Sequence, residues 1–317
     1  MKAWIQAFRL KTLPLAVSGI VLGAALSGMH GKWNFAVLLL AALTAVSLQV
    51  LSNLANDYGD FIKGTDQTAN RTDRALASGR IGPAQMRTAI VINILLSLGL
   101  GLFLLYVATP SLKLFGVFLA LGIMGILAAL GYTMGKRAFG YSGLGDAVVF
   151  VFFGPVAVCG TFYLMTGTLI PQVWLAAVGM GLLSAAVLNV NNMRDTRTDN
   201  LAGKRTLALR LGRRWAQLYH KTLLLMGFLF VFTSFLSEGG SLQIRPNLTE
   251  PLLLLLVYAP VILLLTRHAG RVAELNSQEP PLTPEDRKPW NKELKNLSLT
   301  ILLMVGIYLL TVVLFVA

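Results

Sequence analysis

Seven acidic side chains precede Glu238, and all of them are aspartate: Asp57, Asp60, Asp66, Asp73, Asp146, Asp195 and Asp199. A solvated protein face mixes Glu with Asp. Aspartate alone offers short, stiff oxygen ligands of the kind a hard cation such as Mg2+ accepts. Six of the seven fall in two clusters, "LSNLANDYGDFIKGTDQTANRTDRALASGR" (51–80) and "LNVNNMRDTRTDNLAGKRTLALRLGR" (188–213). Residues three, four and seven apart share a helix face. Asn53, Asn56, Asp57 and Asp60 meet that spacing, as do Asn192, Asp195 and Asp199, with Asn191 four before Asp195. Each cluster therefore projects a strip of carboxylate and carboxamide oxygens. One aspartate near a helix end is ordinarily a cap or an interface group. Two strips at matched spacing call for chemistry: divalent cations and a polyanion held between them. Lys63, Arg71, Arg74, Lys204 and Arg205 accompany the strips and suit phosphate.

The elements that must position these strips are membrane helices. Of the 317 residues 55% are hydrophobic and only 13% charged, against about 25% charged in a soluble domain. Nine stretches reach the roughly 20 residues that a helix needs to cross hydrocarbon, at 13–29, 34–56, 86–108, 112–134, 144–166, 172–192, 216–237, 250–267 and 296–316. They are Leu-rich and lack period-2 alternation, which excludes strands. The basic lead-in "MKAWIQAFRLKTLP" has no small-residue cleavage site after its apolar run, so the first stretch reads as mature structure. In that lead-in Arg9 and Lys11 read as headgroup anchors.

Polar connections are expected at about 57–85, 135–143, 193–215 and 268–295, within one membrane-embedded domain over 1–317. Of 27 Lys and Arg, only Lys32, Lys113 and Arg245 fall on the opposite side. The positive-inside rule then makes the basic side cytoplasmic, with the N-terminus inside and the C-terminus outside. The net charge of +13 thus follows from topology and phosphate rather than from nucleic acid, and nothing points to an obligate protein partner. One cysteine and three scattered histidines exclude disulfide frameworks and Cys- or His-rich metal cages. The stretch 269–294 reads as a flexible loop without chemistry. Asp146 enters an apolar span and is a functional candidate by default.

At these residues a resemblance emerges. "NDYGD" and "NNMRDTRTDNLAGKRT" resemble the two Asp-rich motifs of the membrane-embedded aromatic prenyltransferases, and Tyr132 with Lys136 their Tyr-x-x-x-Lys element. "QVLSNLANDYGDFIKGTD" and "GYSGLGDAVVFVFFGPVAVCGTFYLMTG" are most similar to the branch that acts on 1,4-dihydroxy-2-naphthoate. Asp66 follows Asp60 by six residues, whereas the wider superfamily places its third aspartate four after the second. The resemblance runs from about residue 8 to 215. It implies an all-α integral membrane bundle around a central cavity open to the cytoplasmic side of a bacterial inner membrane. It also implies Mg2+-dependent transfer of a polyprenyl group from polyprenyl diphosphate, with loss of the ring carboxylate as CO2 in menaquinone synthesis. The other enzymatic reading is prenylation of a different aromatic acceptor such as 4-hydroxybenzoate; a divalent-cation transporter is a weaker fit, because Lys and Arg beside the acids repel cations.

The expected assignments are as follows. Asp57 and Asp60 hold one Mg2+, and Asp195 and Asp199 the second, supported by Asn53, Asn56 and Asn192. Lys63, Arg74, Lys136, Arg137, Lys204 and Arg205 face the diphosphate. Asp66 is the candidate to deprotonate a substrate hydroxyl, and Arg137 to orient the carboxylate. Phe150, Phe152 and Phe153 would line an isoprenoid groove.

Overall fold

The structure is a computed structural model, described over residues 2–68, 74–108, 111–135, 138–238, 249–281 and 283–316. Lys136, Arg137, Arg71 and Asp73 lie outside the described residues. Those described are helical or irregular, with no strand among them. The order is α1 (Lys2–Phe8), a 3-10 turn (Leu10–Thr12), α2 (Leu13–Met29), α3 (Phe35–Ile62), the single turn α4 (Thr65–Thr68), α5 (Pro83–Ala108), α6 (Leu112–Gly131), a 3-10 turn (Phe139–Tyr141), α7 (Gly145–Val151), a π-helical stretch (Phe152–Cys159), α8 (Gly160–Thr166), α9 (Pro171–Leu201), α10 (Leu207–Glu238), α11 (Thr249–Ser277) and α12 (Arg287–Val316). Among the described residues nine helical segments are long and apolar enough to cross a membrane, Gly145–Thr166 counting as one.

Large apolar side chains such as Leu96, Phe103, Leu127, Leu256 and Leu310 point outward from the bundle, where hydrocarbon rather than water solvates them. The interior is built around α9, which packs along α10 through glycine. A Cβ on Gly179 would lie 2.8 Å from the Gly227 carbonyl oxygen, so only glycine permits this approach. Pro155 falls inside the π-helical stretch; a proline lacks the N–H of a regular helix and widens the turn there.

The helices run further than hydropathy suggests, so the connections are shorter than expected. The region 57–85 opens with helix to Ile62 and closes at Pro83; 193–215 is helix to Leu201 and again from Leu207; 268–295 separates only between Ser277 and Arg287. Hydropathy locates the part of a helix that meets lipid. Backbone hydrogen bonding continues through polar residues wherever their side chains find partners, and here they do. The stretch 269–294 is accordingly a pair of helix ends rather than a flexible loop. Within α10 the chain bends at Gly212, with φ 71°, and Gly79 adopts the same φ 71° at the end of the first cluster. "RALASGR" and "TLALRLGR" thus share a left-handed glycine before an arginine.

Candidate active site

The two Asp-rich motifs meet at one end of the bundle. On α3, Asn53, Asp57 and Asp60 are buried, and on α9 so are Asn192, Asp195 and Asp199. The α3 row reaches its place because Gly59 lets the turn after α6 come close: a Cβ there would sit 2.6 Å from Thr133 Oγ1. That hydroxyl donates to the Ala55 carbonyl at 3.0 Å and approaches Asn56 Oδ1 at 3.2 Å.

Cations from distant segments close over the α3 row. Arg74 Nη1 lies 2.8 Å from Asp60 Oδ2, 3.3 Å from Asp66 Oδ1 and 3.5 Å from Asp57 Oδ1. Arg9 pairs with Asp57. Lys204 Nζ sits 2.8 Å from Asp60 Oδ1 and 3.7 Å from Asp199 Oδ1. One ammonium therefore touches a carboxylate of each row, and the rows face each other. Burial works against the Arg74 and Lys204 charges. The surrounding carboxylates (Asp66, Asp60 and Asp57 for Arg74; Asp60 and Asp199 for Lys204) outweigh it and hold both above their ordinary values. Lys63 is shifted the other way, lowered by burial and by the Lys204 charge against the pull of Asp60.

Tyr141 organises this cluster. Its hydroxyl donates to Asp60 Oδ1 at 3.0 Å and lies 2.8 Å from Thr65 Oγ1. Its ring carries Lys63 Nζ at 3.9 Å and Lys204 Nζ at 4.8 Å from the centroid, a double cation–π arrangement. Burial pushes the phenol up to about 12, so it remains a donor at neutral pH.

The α9 row is held differently. Arg194 Nε donates to Asp195 Oδ1 at 2.9 Å, and the same guanidinium reaches Asn191 and Asn291 at 2.7 Å each. Arg287, fully buried, places Nε 3.8 Å from Asp195 Oδ1. Arg287 and Asn291 are four apart on the first turns of α12, so one helix face braces both members of the Arg194–Asp195 pair.

Three cavities meet here. A polar cradle of about 40 Å3 is lined by Asp60, Asp66, Arg74, Asn192, Asp195, Asp199 and Lys204. A larger cavity of about 460 Å3 adjoins it, bounded by Lys11, Asp57, Phe153, Leu188, Arg194 and Asn291. An apolar groove of about 260 Å3 runs between α3, α5, α6 and the Gly145–Thr166 segment, past Phe118, Phe152 and Phe153. Tyr132 lines all three. Burial first, then the nearby carboxylates, raises its phenol, keeping it neutral.

Most of the expected site residues gather there. Arg9 does as well, which corrects its reading as a headgroup anchor: Asp57 offers it a buried carboxylate. Asn53 faces the N-terminal turn, its amide donating to the Phe8 carbonyl at 2.9 Å. Arg205 is exposed and lines none of these cavities. Phe150 packs against Gly181 rather than in the groove, because α9 offers it a glycine notch. Asp146 accepts from Tyr219 at 3.3 Å, away from all three cavities. Sequence reasoning missed Tyr141, Arg194, Arg287 and Asn291. For Arg194 its place inside the second motif was a usable signal; for the α12 pair no local signal exists.

The donor set fits Mg2+. It consists of hard carboxylate and amide oxygens in two rows, now balanced by Arg and Lys. Among the described residues no three His, Cys, Asp or Glu side chains converge into an all-protein cage. Mg2+ does not need one, since it takes one or two carboxylates, phosphate oxygens and water.

A family profile for the UbiA prenyltransferase family matches residues 16–282. The chain belongs to that family. It is a prenyltransferase with a multi-helix membrane bundle. It is 47% identical over 225 residues to the 1,4-dihydroxy-2-naphthoate octaprenyltransferase of Escherichia coli, covering 71% of this chain and 73% of that protein. It is 38% identical over 237 residues to the octaprenyltransferase of the same name from Mycobacterium tuberculosis, covering 74% and 78%. Among solved structures, a UbiA homologue from Archaeoglobus fulgidus bound to GPP and Mg2+ superposes with a TM-score of 0.56 at 18% identity, covering 98% of this chain and 99% of that one. At that identity the likeness concerns the fold.

Proposed function

We propose that this UbiA-family chain transfers a polyprenyl group from polyprenyl diphosphate to 1,4-dihydroxy-2-naphthoate, releasing diphosphate and CO2, in the menaquinone route. The observation that carries the reading is the meeting of three cavities of different chemistry at Tyr132. A cationic and carboxylate-lined cradle suits a diphosphate, an apolar groove suits an isoprenoid, and a mixed cavity suits an aromatic acid. The names of the bacterial relatives support the acceptor.

In this reading Asp57 and Asp60 hold one Mg2+ and Asp195 and Asp199 another, with Asn56 and Asn192 in support. Bound there, Mg2+ supplies the charge that a departing diphosphate requires. Arg74 and Lys204 neutralise the charge that develops as the allylic C–O bond breaks. Lys63 stands beside Lys204 over the Tyr141 ring, and Lys136 and Arg137 are assigned to the diphosphate on their motif alone. The neutral ring of Tyr132 borders the position of the allylic carbon and attracts a delocalised cation through its π face. The acceptor ring carbon forms the new C–C bond. When that carbon bears the carboxylate, loss of CO2 returns an electron pair to the ring, and no external base is consumed. Asp66, paired with Arg74 inside the cradle, then serves to hold that guanidinium.

The cradle end is read as cytoplasmic in a bacterial inner membrane, and the chain as one domain. A cysteine placed between Ser277 and Arg287 should be labelled from the cytoplasmic side only. The decisive assay is product analysis: purified protein, Mg2+, an isoprenoid diphosphate and 1,4-dihydroxy-2-naphthoate, followed by mass spectrometry. A prenylated, decarboxylated naphthalenediol is expected. Turnover of 4-hydroxybenzoate instead would reject the acceptor, and no turnover with any aromatic acid would reject the reading.

A further inference from the structure

The part of the larger cavity formed by the N-terminal turn, α9 and α12 carries a pair of cations, Lys11 and Arg194, that have not been assigned to the diphosphate. Asn291 Oδ1 accepts from Arg194 Nη1 at 2.7 Å and from Lys11 Nζ at 3.0 Å. One amide oxygen thus holds two like charges side by side. Asn291 is neutral, so its bond to Lys11 orients the ammonium without cancelling its charge. Arg194 pairs with Asp195 through Nε and Nη2, and it is Nη1 that meets Asn291. All three side chains line the same cavity as Leu15, Val149, Phe153 and Leu188. The remaining lining is mixed, with Asn53, Asn56 and Asp57 beside these apolar faces, so the cavity offers a cation pair, polar partners and flat apolar surface to an aromatic ring bearing a carboxylate and hydroxyls.

We propose that Lys11 and Arg194, positioned by Asn291, recognise the carboxylate of the aromatic acceptor. The inference rests on the acceptor reading given above. A ring whose carboxylate lies on this pair extends across the cavity toward Tyr132, where the cradle and the groove also open. The location bears on specificity as well. Lys11 and Asn291 lie on either side of residues 16–282, the segment matched by the family profile. The donor machinery sits inside the shared segment, and two of the three acceptor-reading groups come from its flanks. The amide acts as a positioning residue: its oxygen is occupied by the two cations, and they make the contact with substrate. A charge-assisted pair of this kind is directional, so loss of the positioning oxygen should reduce recognition even with both cations present.

The test compares ligands with and without the carboxylate on the same ring. In wild-type protein, 1-hydroxy-2-naphthoate should compete with 1,4-dihydroxy-2-naphthoate at least tenfold more tightly than 1-naphthol does. Asn291→Leu and Lys11→Met should each raise the KM for 1,4-dihydroxy-2-naphthoate and the inhibition constant of 1-hydroxy-2-naphthoate about tenfold. The inhibition constant of 1-naphthol and the KM for the isoprenoid diphosphate should change less than twofold. Lys11 is only half-buried, so its variant carries the test if Asn291→Leu does not fold. Equal changes for both inhibitors, no change for either, or a larger change in the KM for the diphosphate would overturn the proposal. If wild-type protein fails to prenylate 1,4-dihydroxy-2-naphthoate, the acceptor reading itself has failed; if it does so and the variants do not discriminate, only this inference has.

Discussion

The two aspartate rows look alike in sequence and are held in opposite ways. α3 itself, Phe35–Ile62, contains no Lys or Arg. Its charge is balanced by Arg9 from the N-terminal turn, Arg74 from the following connection and Lys204 from the far side of α9. The α9 row carries its own counter-ion in the adjacent Arg194, braced by α12. The first row is therefore completed by tertiary closure, while the second is largely completed by its own helix and one neighbour. The difference teaches that matched motifs need not play matched parts. The α3 row depends on cations from other segments that a diphosphate would also engage, and the α9 row is held from its own helix and α12.

The largest effect should come from removing charge from either row. Asp57→Asn and Asp195→Asn should each lower Mg2+-dependent turnover by about 100-fold or more, the order seen when a preorganised charge partner of a transition state is lost. Circular dichroism in detergent should show the fold retained; near-normal rates in either variant would detach that row from the chemistry. Next comes the asymmetry itself. Arg74→Ala removes a guanidinium shared by three buried carboxylates and should destabilise the metal-free protein by about 3–5 kcal/mol. Millimolar Mg2+ should restore much of that loss, because ion binding then replaces the missing guanidinium. Thermal unfolding with and without Mg2+ measures both. Equal Mg2+ rescue in Arg194→Ala would erase the proposed distinction between the rows.

Lys204→Ala, which removes the bridge between rows, should weaken diphosphate binding about tenfold, as for one charge-assisted contact. The acceptor KM should move less than twofold; the reverse order would take Lys204 out of the cradle. The smallest effect concerns pH. Lys63 has a lowered pKa and Lys204 a raised one. As pH rises, Lys63 should lose its proton before an ordinary lysine would, and Lys204 after. Diphosphate affinity should thus begin to fall on the alkaline side through Lys63 alone. A Lys63→Met variant, weaker at neutral pH, should show a flatter profile between pH 7 and 10.

Much of this was legible in the chain. Continuous apolar runs mark membrane helices because lipid imposes a length and a hydropathy on them, and nine were placed near their observed positions. Asn56, Asp57, Asp60, Asn192, Asp195 and Asp199 were legible because helix periodicity converts spacing into a shared face. Arg74 and Lys204 followed from their company. Helix ends were not legible: hydropathy falls at the headgroups while hydrogen bonding runs on, as at Ile62 and Leu201. Nor were the partners brought by tertiary contact. Arg9 is 48 residues from Asp57, and Asn291 is 97 from Arg194; no periodicity connects such pairs. Tyr141 is one of two aromatics in a glycine-rich turn, and only the fold places it under two lysines.

The central claim is that both rows serve one diphosphate. Titration calorimetry with a non-hydrolysable isoprenoid thiodiphosphate and Mg2+ tests it on wild type, Asp60→Asn, Asp199→Asn and the double variant. Groups acting on one shared ligand are strongly non-additive, so the double variant should bind little worse than either single one. Losses that simply add, each row contributing its own independent share, would contradict the account.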